Sequence, residues 1–386
     1  MFLNRLLATN SALAELAFEW HGRGVIQPDT YLLDLDVIQD NARLLHSEAV
    51  SSGVTLYYML KQIGRNPMVG RAIQDVGFCG AVCVDWREAL TLSRAGLALG
   101  NVGHLVQTPT SVLPEIIAAR PDIMTVYSIE KAAQIGAEAS RQGHLQPIML
   151  RVLDDGDVLY EGQYAGFRLD GMRGAIESLE KIDGIKIAGV CSFPCFLFSE
   201  QTQELEPLPN MQTVLNAAEM LRQRGYDDLQ INMPSANCLK TIAAAAAYGG
   251  THFEPGHALT GTTPYHAVHD DAPERIGYVY VSEVSHNLDG CAYCFGGGHY
   301  RRGHMLLGLV GTSLDGARMI DIEPPSDENI DYHLRLSESV RVGDTVVACC
   351  RTQMFVTRSE IAVVSGLSHG KPVLEGVFSS LGERIR

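Results

Sequence analysis

The feature that most constrains this chain is a repeated alternation. Short apolar, β-prone runs occur at 55–60, 80–84, 101–106, 123–127, 147–152, 185–191, 229–233 and 251–254, and each of the first seven is followed by a stretch with helical character. Strands that alternate with helices of this kind pair in parallel and are covered by the helices. Eight such units close most naturally into a barrel. The expected fold class is therefore α/β, a (β/α)8 TIM-like barrel followed by a C-terminal β-rich domain. An open doubly wound sheet competes with it, but no GxGxxG follows an early strand, which removes the usual reason for a dinucleotide fold. Several helices open on residues suited to capping: Asn66 before Pro67, Asp85 with Glu88 three residues on, Ser128, and Asn210.

The pattern changes near His269. Short β-prone runs at 276–284, 305–310, 345–350, 354–356, 361–364 and 372–378 are separated by Gly- and Asp-containing turns, as in a compact antiparallel domain. The boundary is placed so that 1–269 holds a leading helix and the barrel, and 270–386 forms the β domain that completes the active site. The first twenty residues read as an amphipathic helix with Leu3, Leu6, Leu7, Leu13, Leu16 and Ala17 on or near one face; Asn4, Arg5, Asn10 and Glu15 interrupt it far short of a membrane span. No membrane association is expected. A net charge of −15, from 45 acidic against 30 basic residues, repels a polyanion and argues against nucleic acid as a partner. Nine cysteines, an odd number scattered through apolar segments, suit buried thiols in a reducing compartment, so a cytoplasmic location is expected.

Lys61 stands directly after the first strand run, Leu56-Tyr57-Tyr58-Met59-Leu60. In a barrel of this kind that end of the strands is where active sites are assembled. Desolvation lowers the pKa of an amine, which suits it to condense with an aldehyde; a strand-end lysine can also simply extend to solvent.

The segment Tyr31 to Ala42 (YLLDLDVIQDNA), with Lys61 beyond it, resembles the entry segment and cofactor lysine of the alanine racemase N-terminal domain family of fold type III pyridoxal phosphate enzymes. The stretches FGGGHYRRGH, 295–304, and VGDTVVACC, 342–350, resemble its YhfX-like group. The resemblance covers nearly the whole chain. It implies pyridoxal 5'-phosphate on Lys61, an amino acid or amino-acid-like substrate altered at its α carbon, and a homodimer. Racemisation is preferred; the alternatives are a lyase of the D-serine dehydratase or D-threonine aldolase type, a non-catalytic cofactor carrier, and a barrel enzyme without this cofactor.

The chain departs from the family four residues beyond the lysine, where the racemases carry a phosphate-contacting tyrosine and this sequence has Arg65. Arg65 serves a phosphate through its fork or remains on the surface. The ends of the seventh and eighth strands, with Ser235, Asn237, Glu254, Gly256 and His257, resemble the family's phosphate cradle and its surroundings: Ser235 and Asn237 offer donors, Gly256 allows close backbone approach, Glu254 is an orienting carboxylate, and His257 is a neighbour of the cofactor. Arg151, at the end of the fifth strand, meets ring or substrate, or else pairs with Asp154 or Asp155. Tyr300 is the candidate for a second acid or base. Cys291, Cys294, His299 and His304 have a C-x2-C-x4-H-x4-H spacing, shorter between pairs than the usual zinc pattern, and no metal is expected.

Overall fold

All eight anticipated barrel strands form in the computed structural model, which describes residues 2–298, 300–326 and 328–386. They are Thr55–Leu56 continued by Tyr58–Met59, then Ala81–Cys83, Leu99–Val102, Ile123–Val126, Gln146–Leu153, Ile185–Cys191, Gln230–Asn232 and His252–Phe253. Neighbours in this series pair in parallel. The first run is shared: Thr55–Leu56 pairs with His252–Phe253 while Tyr58–Met59 pairs with Ala81–Cys83, and this closes the ring. The strands are covered on both faces, since Ala81, Val82, Cys83, Val126, Met149, Leu150, Val190 and Ile231 are all fully buried, as in a parallel sheet with helices packed outside it.

The seven expected helices follow in turn, at Pro67–Gln74, Trp86–Arg94, Leu113–Ala118, Ile129–Arg141, Met172–Leu179, Pro209–Arg222 and Leu239–Ala247. Three of the four capping assignments hold. Asn66 Oδ1 accepts from the Met68 and Val69 amides at 3.0 and 3.2 Å, Asp85 accepts from the Glu88 amide at 2.9 Å, and Ser128 accepts from the Lys131 amide at 3.2 Å. Asn210 differs. It lies inside its helix, whose cap position is Leu208, and its side chain exchanges hydrogen bonds with the backbone of Val158 while donating to Ser192 Oγ. A loop that needs pinning has won this asparagine from the cap.

Asp85→Ala and Ser128→Ala should each cost about 1 kcal/mol of stability, the ordinary value of a side-chain cap. Asn210→Ala should instead raise hydrogen exchange in the 154–166 loop. Urea titration checks the first pair, and residue-resolved exchange checks the third.

The chain divides into two compact units. One, the barrel unit, is Arg43–Leu60 with Ile73–Gly256; the other, the β unit, is Met1–Ala42, Lys61–Ala72 and His257–Arg386. The sequence pattern groups the first forty residues with the barrel; in the structure they belong to the β unit. The reason is a strand. Thr30–Asp34 pairs antiparallel with Tyr278–Leu288 on one side and parallel with Glu360–Ser365 on the other, and a pairing so distant in sequence leaves no local signal.

In the β unit the strand Tyr278–Leu288 also pairs with Thr345–Ala348 and, beyond a bulge, with Cys291–Phe295. Through His333–Leu336, Arg318–Glu323 and Leu307–Gly311 the antiparallel strands run back to Thr345–Ala348 and form a closed ring. Val373–Ser379 pairs with the far edge of Glu360–Ser365. The run at 354–356, read as β-prone, is a 3-10 turn instead. The leading segment forms two helices, Phe2–Thr9 and Ser11–Gly22. Leu3, Leu6, Leu13, Leu16 and Ala17 pack with Leu32, Val279, Val281, Val347 and Ala362 in one apolar cluster. Burying each such leucine contributes roughly 1.5–3 kcal/mol, which explains why an N-terminal segment is held so firmly. The break falls at Asn10, whose amide donates to Asp34 Oδ2 at 2.9 Å and to the Ile276 carbonyl at 3.0 Å.

Candidate active site

Polar side chains gather where the barrel strands end. His104, Tyr127, Arg151, Phe193, Ser235 and Glu254 lie at the C-terminal ends of six successive strands of the ring, or just beyond them, the face on which catalytic groups are assembled in such barrels. Gly103 helps to shape this rim. It has φ +92°, and a Cβ there would stand 2.7 Å from the Thr125 carbonyl.

Arg151 is 2% exposed. It donates through Nη1 to Tyr127 Oη at 3.2 Å and through Nη2 to the Gln163 carbonyl at 2.9 Å, and its guanidinium stands 5.2 Å from the Tyr127 ring centroid and 6.0 Å from that of Phe193. Neither Asp154 nor Asp155 pairs with it; Asp155 binds Arg168 instead. Both oxygens that Arg151 reaches are neutral. Among the described residues this buried cation is held by neutral groups, an arrangement that costs free energy.

Glu254 is buried, and it is braced from three sides. Asn101 Nδ2 donates to Oε1 at 3.1 Å, Asn232 Nδ2 donates to the same oxygen, and His104 Nε2 stands 3.8 Å from Oε2. Thr125 Oγ1 in turn donates to Asn101 Oδ1 at 2.7 Å, fixing that amide. The expected orienting carboxylate is thus itself oriented. Asn101, Thr125, His104 and Asn232 were not singled out on sequence: each is an unremarkable residue in an apolar run, and only the closure of the ring brings them together.

Asn237 Nδ2 donates to the Met233 carbonyl at 3.0 Å, and its Oδ1 accepts from the Glu254 amide at 2.9 Å. It ties the seventh strand's loop to the eighth strand's end, with one amide hydrogen left over. Ser235 and Ala236 have φ of +89° and +51°, a left-handed pair that costs free energy for non-glycine residues and recurs at ligand sites. Ser235 is half-buried, leaving its hydroxyl available to a ligand. Gly256 is buried just beyond Glu254. Cys191, at the end of the sixth strand, has its thiol pushed up to about 12 by burial and is inert as a nucleophile.

The β unit carries the other candidates. Lys61 is half-buried at the head of the turn Lys61–Ile63, which packs beside the turn Met354–Val356. Arg65 is 3% exposed, has φ +52°, and lays its guanidinium 4.9 Å from the Phe355 ring centroid. Of its two anticipated settings, the surface one is ruled out. His257 Nε2 stands 2.9 Å from the Thr352 carbonyl, so that nitrogen carries the proton and Nδ1 is left as an acceptor. Burial, and then the cations Arg351 and Lys61, hold His257 well below the ordinary histidine range, which keeps the ring neutral. Tyr300 is half-buried, with the Arg351 guanidinium 5.9 Å from its ring centroid. Arg351 was not among the residues chosen from sequence.

His299 and the side chain of Arg301 lie outside the described residues. Among the described residues, no three His, Cys, Asp or Glu side chains gather as a metal-binding set. Cys291 accepts from Arg335 Nη2 at 3.2 Å, and Cys294 is pushed up to about 11, mainly by burial. All nine cysteines are free thiols. No helix among the described residues is long and apolar enough to cross a membrane.

Residues 33–264 match the alanine racemase N-terminal domain, and residues 279–374 match the YhfX-like C-terminal domain. This chain belongs to the alanine racemase N-terminal domain family, in its YhfX-like group. It is 38% identical to the protein YhfX of Escherichia coli strain K12, over the full length of both chains. Among solved structures it is similar in fold to the D-threonine aldolase of Filomicrobium marinum, with a TM-score of 0.65 at 15% identity, covering 93% of this chain and 95% of that one. It is likewise similar to the D-threo-3-hydroxyaspartate dehydratase of Delftia sp. HT23, with a TM-score of 0.64 at 16% identity, covering 90% and 96%. The alanine racemase of Clostridium difficile 630 gives 0.62 at 16% identity, covering 92% and 100%.

Proposed function

We propose that this chain is a pyridoxal 5'-phosphate-dependent enzyme that acts at the α carbon of an amino acid or amino-acid-like substrate, and that it is a racemase. The observation that carries the reading is Lys61, half-buried in the first turn after the first barrel strand, in a chain whose family is that of alanine racemase.

The residues present fit such a group. A phosphorylated pyridine aldehyde requires an amine, hydrogen-bond donors for an anion, and polar partners around the ring. Lys61 supplies the amine. For the phosphate, the barrel unit would offer Ser235, Asn237 and the Gly256 backbone and the β unit would offer Arg65; for the ring, the barrel unit would offer Arg151 and Glu254 and the β unit His257. When bound, the cofactor supplies a conjugated ring that takes up electron density from Cα. The Lys61 amine then removes a proton from one face of Cα, and Tyr300 returns one to the other; both exchange protons with water between turnovers, so atoms and charge balance. In this reading the residues up to 269, Lys61 among them, carry the cofactor, and the domain from 270 to 386 completes the site. The working form is a cytoplasmic homodimer, for which the nine free thiols support the compartment.

Incubating the loaded protein with a panel of amino acids in deuterated water tests the reaction. The expected result is deuterium at Cα together with inversion of configuration. Release of a keto acid or an aldehyde would replace the racemase with a lyase, and the absence of any exchange or product across the panel would make the chain a non-catalytic carrier.

A further inference from the structure

Most arginines whose partners can be traced here meet a carboxylate: Arg224 meets Glu180, Arg275 meets Asp40, Arg318 meets Glu338, and Arg335 meets Glu323. Arg351 does not. Its Nε is buried without an acceptor, and among the described residues its guanidinium makes no hydrogen bond or ion pair; its one neighbour of note is the Tyr300 ring.

This arginine is not a loose surface side chain. Its amide donates to the Gly303 carbonyl at 3.2 Å, and the next residue, Thr352, holds His257 through its carbonyl at 2.9 Å. A Cβ on Gly303 would stand 2.5 Å from the Arg351 carbonyl, so the turn carrying Tyr300 sits directly on this backbone. The same residue is close enough to His257 to repel its proton, as is Lys61. A fork of donors is thus fixed by the proposed second base and, like Lys61, close to His257, in a protein of net charge −15 that, among the described residues, pairs no carboxylate with it. Leaving a partly buried cation unpaired is unfavourable unless a ligand brings the counter-charge.

We propose that Arg351 is the anchor for the substrate's α-carboxylate, a bidentate partner that holds the amino acid with its Cα between Lys61 and Tyr300. This rests on the function proposed above for its choice of substrate, although the anion site itself does not depend on a cofactor. The planar guanidinium matches a carboxylate in two parallel hydrogen bonds. A phosphate would use the same donors, so the two anions must be told apart.

The test uses the full chain, with and without pyridoxal 5'-phosphate, and two probes, propionate and inorganic phosphate, with binding followed by calorimetry. Wild type should bind propionate in both forms. Arg351→Gln should weaken propionate about ten- to a hundredfold, the range expected for charge-assisted hydrogen bonds, while its affinity for pyridoxal 5'-phosphate changes by less than about threefold. Arg351→Lys should recover part of the loss, because the charge returns without the fork. Unchanged propionate binding in Arg351→Gln, or no propionate binding by wild type, overturns the assignment. Loss of phosphate or cofactor binding with propionate unaffected overturns it too and makes Arg351 a phosphate ligand. Failure of wild type to bind the cofactor, with propionate binding still dependent on Arg351, would sink the proposed reaction and leave the carboxylate site standing.

Discussion

Lys61→Ala is expected to lower turnover by about a thousandfold or more while leaving the fold intact. Two roles are lost together, the covalent hold on the cofactor and the proton transfer at Cα, and the second alone is typically worth 10²–10⁴ in rate. The residue lies half-exposed in a short turn, so truncating it removes little packing, and the far-ultraviolet circular dichroism and thermal midpoint should stay close to wild type. Steady-state racemisation assays with the best substrate of the panel check the rate. A variant that keeps most of its activity would show that the lysine is a bystander. Added alkylamine should restore part of the lost rate in the cavity left by the side chain, which a purely structural lysine would not allow.

Glu254→Ala should be among the most destabilising single changes in the barrel, at about 2–5 kcal/mol. The carboxylate accepts from Asn101 and Asn232 and stands near His104, all of them fully buried. Removing it strands two amide donors in a medium where each unsatisfied group costs about 1–3 kcal/mol. Glu254→Gln keeps one acceptor and should cost about 1 kcal/mol. Its effect should therefore appear mainly in the cofactor: if the carboxylate faces the ring, the absorption spectrum of the bound cofactor shifts in Glu254→Gln although the protein is nearly as stable. Urea unfolding of both variants separates these contributions. Equal midpoints for wild type and Glu254→Ala would mean that the network is not held as described.

The barrel was legible because its signal is local. Each strand is a short apolar run, and each helix carries its own caps, as Asp85 and Ser128 show. What escaped is what depends on distant partners. The run Tyr31 to Asp36 reads only as a short extended segment, and nothing nearby in sequence reveals that the strand there, Thr30–Asp34, pairs with Tyr278–Leu288 and Glu360–Ser365. Arg318–Glu323 was missed although Ile320 and Ile322 are buried between exposed neighbours; with Arg318, Asp321 and Glu323 charged, the apolar face is only two residues deep and reads as a turn. Met354–Val356 looks β-prone by composition but is a 3-10 turn.

The candidate site divides along the same line. Lys61, Ser235 and Glu254 could be named because they follow strands, and strand ends can be counted. The bracing of Glu254 by Asn101 and Asn232 could not, since it joins three strands far apart in the chain. Arg65 offered two settings on sequence, and its burial against the Phe355 ring removes the surface one. Arg351 is conspicuous for having no carboxylate partner among the described residues, and that leaves no trace in a sequence.

The most direct test is to load wild-type protein with pyridoxal 5'-phosphate, reduce it with borohydride, digest it, and map the modified peptide by mass spectrometry. The account predicts a single phosphopyridoxyl group on Lys61, absent when reduction is omitted. A reduced protein carrying no such group, or carrying it on surface lysines with Lys61 unmodified, would contradict it.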